Sequence, residues 1–206
     1  NPAMGRVLRL WHNARDNAES EPWNAAIPSA DDLTAAAEHT SLDDLVLDPA
    51  AMTVWYDDPL LRLDLGAVAK GYATEIIAQM LLAGDMRSFI ISAGGNVRLG
   101  RPPQDGRRCW GVGIQDPDGA IFGMSDIVET LFLANSSVVT SGDYQRFYTV
   151  DGKNYHHLID PDTLMPSTYY RSVSIITEDS GFADLLSTAA FLMPYEQSRE
   201  FVESLE

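Results

Sequence analysis

The sequence predicts an α+β fold with mixed, largely antiparallel sheets packed against helices. Strand-like segments outnumber helical ones, and several are joined by short turns rich in Asp, Gly and Asn. Such turns are typical of antiparallel hairpins, whereas a doubly wound parallel sheet needs helical crossovers. The 206 residues suffice for one sizeable domain, and we expect a single domain over residues 1–206.

In the first third of the chain, the sequence patterns predict two helices and two strands. Residues 1–30 are rich in Pro, Asn and Trp and show no clear periodicity. Ser29 is a helix-capping residue before a helical composition that extends to residue 38. Residues 45–63 read as two short strands, and the pattern of residues 67–83 is helical.

The remaining elements follow from turn signals and apolar runs. A buried strand over 88–92 precedes a Gly-Gly pair, and 182–193 is an apolar helix that ends at Pro194. A last helix begins near Glu196. The other expected elements are a hairpin of 110–115 with 120–124, a hairpin of 147–150 with 155–159, and strands at 137–139 and 172–177.

Composition excludes several classes of partner and site. The net charge of −16 repels nucleic acid and anionic lipid, so neither is expected as a partner. No apolar run approaches the ~18 residues of a membrane span, and the opening residues lack the features of a signal peptide. The single cysteine, Cys109, excludes an internal disulfide and a cysteine zinc cluster.

Lys70 is at odds with its place in the predicted helix. A helix start carries a partial positive charge, so a cation in the first turn is mildly unfavourable. Gly66 and Gly71 flank the lysine, and glycine is costly inside a helix. Such a local conflict indicates function, and we expect this helix start to bind a ligand, with the glycines allowing close approach.

The predicted apolar helix over residues 182–193 contains three polar residues that suit either a metal site or a helix cap. Asp184 and Thr188 are four residues apart and share one face, and Ser187 borders it. Oxygen ligands of this kind suit Mg²⁺. Because Asp184 lies near the first turn, its alternative role is to cap its own helix.

Three further runs are candidates for ligand contact or catalysis. Gly94-Gly95 forms either an anion-binding nest or a plain turn. Thr140 and Ser141 belong to a run of small polar residues that suits a loop near a ligand. His156-His157 are adjacent on a predicted strand, so they cannot chelate one metal. One of them is a candidate general base. The alternative is a structural role, in which a strand histidine is hydrogen-bonded to a neighbouring carbonyl.

Five runs of the sequence occur in the order found in one known family. They are Asn1-Pro2 with Trp11, Asp64-Leu-Gly-Ala-Val-Ala-Lys-Gly-Tyr72, Ser92-Ala-Gly-Gly-Asn96, Thr140-Ser-Gly-Asp-Tyr144 with His157-Leu-Ile-Asp-Pro161, and Ala183-Asp184 to Thr188. Together they resemble the ApbE family of FAD:protein FMN transferases. The resemblance implies an enzyme that uses FAD and Mg²⁺, attaches FMN through a phosphoester to a threonine of an acceptor protein, and releases AMP.

The resemblance also assigns roles to individual residues. Asp64 and Lys70 match positions that contact FAD, and Ile159 matches a flavin contact through packing or backbone. His157 is the candidate general base toward the acceptor threonine. The remaining cofactor-binding candidates, from the Gly-Gly and Thr-Ser runs, are Gly94, Gly95, Thr140 and Ser141.

The metal ligands implied by the family come from two helices. Asp184 and Thr188 match the metal-binding pair, and Ser187 occupies a position that some relatives fill with another metal ligand. Ala67 matches a ligand position that only its backbone carbonyl can fill. We take Asp184 as catalytic as well, since it would hold the metal that cleavage needs.

Family members usually carry a signal or lipoprotein segment, so the resemblance implies an exported protein, periplasmic or anchored at the cell surface. The match begins part-way into the family's pattern, and we expect the family's C-terminal strands to be shortened. The run Asp160-Pro-Asp-Thr-Leu164-Met-Pro166 has a leucine where the family has glycine. Two alternative activities remain: an FAD pyrophosphatase that yields FMN and AMP, and a flavin-binding fragment without catalysis.

Overall fold

The computed structural model describes residues 1–119 and 127–205. Within these ranges every pairing of named strands is antiparallel, which confirms the α+β class. The α-helices are α1 Gly5–Ser20, α2 Ala30–Ala37, α3 Ala69–Ala83, α4 Ser180–Phe191 and α5 Tyr195–Glu203. The strands are β1 Leu45–Asp48, β2 Thr53–Tyr56, β3 Ile90–Ser92, β4 Asn96–Leu99, β5 Trp110–Gln115, β6 Ile127–Leu133, β7 Ser137–Gly142, β8 Phe147–Val150, β9 Lys153–His156 and β10 Ser172–Thr177.

The first of two compact units comprises Asn1–Leu65 and Arg146–Ser167. Helix α1 packs against α2 and the hairpin β8–β9 around the buried Trp11. The Trp11 ring stacks on Tyr155 with 6.0 Å between centroids, and its indole N–H donates to the Leu164 carbonyl at 3.0 Å. One apolar core therefore joins both chain segments of this unit.

Helix α1 occupies a segment for which the sequence shows no clear period. Its buried side chains are only Val7, Trp11 and Ala18, so the apolar stripe is narrow. No side chain caps its start, and its first turn has no acidic residue. A contact from another segment defines the start instead, since the Gly5 N–H donates to the Arg62 carbonyl at 3.0 Å. The helix therefore depends on packing more than on local signals.

The second unit comprises Gly66–Gln145 and the chain from Thr168 onward. Its main sheet has the strand order β10-β7-β4-β3. Helix α4 packs against α3, β7 and β10, and α3 also contacts β4. The hairpin β5–β6 forms a separate two-stranded sheet, and its Val112 shares an apolar cluster with Leu99 and Val138 of the main sheet. The two helices and the main sheet together position the candidate site.

The Gly-Gly pair forms the turn between β3 and β4. Gly94 and Gly95 have φ values of 52° and 84°, and Ala93 N–H donates to the Asn96 carbonyl at 2.8 Å. Two central residues with positive φ are typical of a type I′ hairpin turn. The expected strand over 88–92 is present as β3, but the expectation that it is buried is wrong, because β3 is the edge strand and Ile90 is 44% exposed.

Most other predicted elements are confirmed with small shifts of their ends. Ser29 caps α2 by accepting a hydrogen bond from Asp32 N–H at 3.1 Å. Strands β8 and β9 form the expected hairpin, but β9 ends at His156 instead of residue 159. The predicted strand 120–124 lies outside the described residues, and β5 pairs with β6.

The prediction of one domain over residues 1–206 stays a prediction.

In the described part of the chain, no helix combines the length and apolar character needed to cross a bilayer.

Candidate functional site

The centre of the candidate site is a contact between the start of α3 and the side chain of Asp184 on α4. Asp184 is only 4% exposed. One carboxylate oxygen, Oδ2, accepts a hydrogen bond from Gly71 N–H at 2.8 Å. The other, Oδ1, accepts one from the Lys70 ammonium at 2.8 Å. Lys70 lies in the first turn of α3, as predicted, and its unfavourable place there is offset by this carboxylate.

The alternative that Asp184 caps its own helix is wrong. Helix α4 begins at Ser180, and Asp179 caps it by accepting a hydrogen bond from Phe182 N–H at 2.8 Å. Asp184 lies one turn further along and binds a free N–H of α3 instead. A buried carboxylate in the interior of an apolar helix is costly, and these contacts from α3 reduce that cost.

Gly71 is required for the close packing of α3 on α4. A Cβ atom at this position would overlap the Ser180 carbonyl oxygen and lie 2.5 Å from Asp184 Cβ. The sequence-based expectation was that Gly71 leaves room for a ligand. In the structure, α4 itself occupies the space that a side chain would need.

Replacing Gly71 with alanine is expected to lower the free energy of unfolding by about 1–3 kcal/mol, since two helix backbones must separate. For a chain of this size, each kcal/mol corresponds to about 2–4 °C in melting temperature. Thermal unfolding followed by circular dichroism measures the change. Gly84→Ala is the matched control because a Cβ there meets its nearest atom at an ordinary 3.5 Å. Equal stability of the two variants would contradict the packing role.

Three hydroxyl groups lie together beside Asp184. Ser141 Oγ on β7 is 2.9 Å from Ser187 Oγ and 3.4 Å from Thr188 Oγ1, both on α4. Ser187 is fully buried and donates to the Asp184 carbonyl at 3.0 Å. Thr140 faces the other way, with its hydroxyl 2.7 Å from Ser174 Oγ on β10. The structure therefore brings Ser141, but not the Thr140 side chain, to the polar residues of α4.

The donor atoms of this site fit Mg²⁺. Asp184 offers Oδ1, the carboxylate oxygen that contacts the Lys70 ammonium, and Thr188 is half-buried and offers its hydroxyl. Ala67 lies in the turn that precedes α3. Within residues 1–119 and 127–205, no group of three or more His, Cys, Asp or Glu side chains could hold a metal. A single protein carboxylate, completed by hydroxyl, carbonyl, phosphate and water oxygens, is a normal Mg²⁺ environment.

A buried ion pair, absent from the sequence-based predictions, supports the start of α4. Arg98 on β4 binds Glu75 on α3 through two nitrogens, at 2.9 and 3.2 Å. Glu75 also accepts a hydrogen bond from Ser180 N–H at 2.8 Å, and the Ser180 hydroxyl donates to Asn96 at 2.6 Å. Burial alone would raise the pKa of Glu75, but the hydrogen bonds from Arg98 and Ser180 hold that pKa below its ordinary value.

One sequence signal could have identified this pair. Glu75 and Lys70 are the charged residues of an otherwise uncharged helix, and Arg98 lies within a short apolar strand. Buried charges of opposite sign are normally paired.

Besides His157, the first unit contains the predicted cofactor contacts Asp64 and Ile159, and Leu164, where the sequence departs from the family pattern. Asp64 lines a cavity of about 620 Å³ together with Arg6, Arg9, His12 and Arg62. Ile159 is 3% exposed within the apolar core of that unit, so its side chain serves the core. Leu164, at the position of the family's glycine, has a φ of 59°, in the left-handed region that favours glycine.

The two histidines differ in their surroundings. His156 is buried, its Nε2–H donates to the Ser167 carbonyl at 2.8 Å, and its Nδ1 accepts from Leu158 N–H. His156 is therefore the strand histidine satisfied by a carbonyl. The Nδ1–H of His157 donates to the Arg146 carbonyl at 3.3 Å, which leaves Nε2 as the unprotonated nitrogen. Burial lowers the pKa of His157 to about 4, so the ring is neutral at pH 7.

His157 is expected to make stability depend on pH between about 4 and 6.5. In this window the unfolded chain binds a proton at residue 157 and the folded chain does not, so stability falls as the pH is lowered. His157→Asn keeps a donor for the Arg146 carbonyl but removes the titration. Urea unfolding at pH 4.5, 5.5 and 6.5 should give a shallower pH dependence for the variant. If the free energy of unfolding changes equally with pH in both proteins, the His157 ring is not protected from protonation in the folded state.

The model of the ApbE family matches residues 1–206. The FAD:protein FMN transferase of Treponema pallidum (strain Nichols) is 38% identical over 98% of this chain and 58% of its own length. One from Klebsiella pneumoniae (strain 342) is 30% identical over 96% of this chain and 57% of its own length. The chain thus spans slightly more than half the length of these curated relatives.

Solved structures agree in fold. The crystal structure of the ApbE protein from Thermotoga maritima has a TM-score of 0.83 and 35% identity, covering 100% of this chain and 63% of that one. The flavin transferase ApbE from Vibrio cholerae has a TM-score of 0.79 and 26% identity, covering 99% and 62%. Since the family model, the relatives and the fold agree along the whole chain, this protein belongs to the ApbE family.

Proposed function

We propose that this chain is part of a Mg²⁺-dependent FAD:protein FMN transferase. The enzyme cleaves the pyrophosphate of FAD, attaches FMN through a phosphoester to a threonine of an acceptor protein, and releases AMP. The placement of Lys70 and Asp184 together at the start of α3 carries this proposal. The relatives named FAD:protein FMN transferase support the type of chemistry.

In this proposal the second unit holds the metal and the pyrophosphate. Asp184 and Thr188 provide side-chain oxygens for Mg²⁺, joined by Ala67 through its carbonyl and by Ser187. When bound, Mg²⁺ would neutralise negative charge that develops on the phosphates. Lys70 provides positive charge at a helix start, where phosphates bind readily. A protein with a net charge of −16 needs such a local cation to hold a dianionic cofactor.

Other cofactor contacts are proposed from family membership. Gly94 and Gly95 offer turn N–H groups, and Ser141 offers a hydroxyl. The Thr140 hydroxyl faces Ser174, so a cofactor contact by Thr140 would have to use its backbone. Asp64 contacts FAD in the first unit. Arginines line the same cavity as Asp64, which supports the binding of an anionic ligand there.

His157 is the proposed general base. Its neutral ring accepts the proton of the threonine hydroxyl at Nε2, and the threonine oxygen forms a bond to the phosphorus of the FMN half. The bond from that phosphorus to the bridging oxygen breaks, and AMP leaves with the bridging oxygen. Because the pKa of His157 is about 4, we expect its protonation to leave turnover unaffected between pH 8 and about 5.5.

We further propose that the full-length protein acts outside the cytoplasm, in the periplasm or as a lipoprotein at the membrane surface. This proposal comes from the family resemblance. Cell fractionation followed by immunodetection tests it, and recovery of the protein from the cytoplasm alone would contradict it.

The test of the proposed function is an incubation of the chain with FAD and Mg²⁺, with and without an acceptor protein that carries a modifiable threonine. AMP and FMN are quantified by chromatography, and flavin fluorescence is read on the denatured acceptor. The proposal predicts a fluorescent acceptor, an equal amount of AMP, and no reaction with EDTA. AMP and FMN without labelling would identify a pyrophosphatase, and bound FAD without AMP would identify a non-catalytic flavin-binding chain.

A further inference from the structure

Both oxygens of the Asp184 carboxylate are occupied by groups of α3. Oδ2 accepts from the Gly71 backbone N–H, and Oδ1 accepts from the Lys70 ammonium, each at 2.8 Å. The Asp184 side chain is 5% exposed, whereas that of Lys70 is 32% exposed. The two contacts therefore differ in how easily they can change: the backbone donor is fixed by helix packing, and the ammonium is carried by a partly solvated, flexible side chain.

A metal and the Lys70 ammonium compete for the same oxygen. A cation coordinated by Oδ1 would lie about 2 Å from it. The ammonium, at 2.8 Å from the same atom, would then face a divalent cation at close range with like-charge repulsion. Gly71 N–H can stay on Oδ2 throughout, so α3 and α4 keep their packing while Lys70 leaves.

Lys70 needs a new partner when it leaves Asp184. A diphosphate at the start of α3 provides one, since phosphate oxygens accept charge-assisted hydrogen bonds from lysine. Without such a ligand, a metal that displaces Lys70 breaks the ion pair between Lys70 and the nearly buried Asp184, and the ammonium gains no new anionic partner. With it, the lysine exchanges one anionic partner for another.

We propose that Lys70 couples diphosphate binding to metal binding: it occupies Asp184 in the ligand-free protein and moves to a diphosphate ligand, which frees Oδ1 for a divalent cation. This inference rests on the proposed function for the identity of the site. It adds a reciprocal linkage, in which each ligand raises the affinity for the other. The coupling also limits metal uptake when no nucleotide is present.

The first test measures Mn²⁺ binding without nucleotide, by electron paramagnetic resonance of the free ion. Lys70→Met is expected to bind Mn²⁺ about tenfold more tightly than the wild type, since no ammonium competes. Lys153→Met is the matched control, because it removes the same charge from an exposed position at the start of β9 and should leave the affinity unchanged. Equal or weaker binding by Lys70→Met would overturn the proposal.

The second test adds ADP, which carries a diphosphate but no flavin to transfer. ADP should tighten Mn²⁺ binding by the wild type more than that by Lys70→Met, in which only direct coordination of the metal by phosphate contributes, after subtraction of the Mn²⁺–ADP complex measured with Asp184→Asn. Equal tightening in both proteins would overturn the coupling. Should Lys70→Met unfold, Lys70→Gln replaces it, and circular dichroism checks the fold of each variant.

Neither test depends on turnover, so failure of the coupling and failure of the proposed function are distinguishable. A wild type that releases no AMP from FAD contradicts the transferase, whatever the Mn²⁺ affinities. Asp184→Asn that binds Mn²⁺ as well as the wild type contradicts the site itself.

Discussion

Replacing Asp184 with asparagine is expected to lower the rate of AMP release from FAD by at least about 100-fold at saturating Mg²⁺. Asparagine has nearly the same shape, and its carbonyl oxygen can still accept the hydrogen bond from Gly71 N–H. The α3–α4 contact therefore survives. What is lost is the negative charge that would hold the metal and keep Lys70 in place.

Initial rates measured over a range of Mg²⁺ concentrations provide the check. Asp179→Asn is the matched control: it makes the same chemical change on the same helix, and asparagine also caps helices well. This control should keep wild-type turnover. An Asp184→Asn enzyme that retains more than about a tenth of the wild-type rate would contradict the metal role of Asp184.

Replacing Glu75 with leucine is expected to lower the free energy of unfolding by about 3–5 kcal/mol. The change leaves the guanidinium of Arg98, which is 4% exposed, without its carboxylate partner. It also removes the acceptor for Ser180 N–H at the start of α4. An unpaired buried charge costs far more than the ion pair itself contributes.

The double variant Glu75→Leu with Arg98→Met separates these two effects. If the unpaired charge causes the loss, urea unfolding will show that the double variant recovers most of the lost stability. A double variant as unstable as the single one would show that the loss comes from the missing hydrogen-bond acceptor for Ser180 N–H.

The depressed pKa of Glu75 predicts that its stabilising contribution is present above pH 4.5 and is lost as the pH falls through the folded-state pKa.

Local signals predicted the elements that depend on local chemistry. Ser29 identified the start of α2, and the pair Gly94-Gly95 identified a turn. Helix α1 was missed because its start is defined by the contact of Gly5 with Arg62, which is remote in sequence. Its narrow apolar stripe did not compensate for the missing cap.

The sequence singles out candidate site residues one by one, but it does not predict how they pair. Lys70 and Asp184 were both identified, yet they are 114 positions apart and no spacing rule joins them. The role of Gly71 in helix packing likewise required the position of α4. Glu75 and Arg98 each stand among uncharged residues, which indicates burial, but their pairing requires the packing of α3 on β4.

The proposed function requires Asp184 to hold a divalent cation at the start of α3. Anomalous diffraction from crystals of the chain grown with Mn²⁺ and ADP tests it most directly. We expect an anomalous peak about 2 Å from Asp184 Oδ1, with Lys70 moved from that oxygen to the diphosphate. A peak elsewhere, with Lys70 still bound to Asp184, would contradict it.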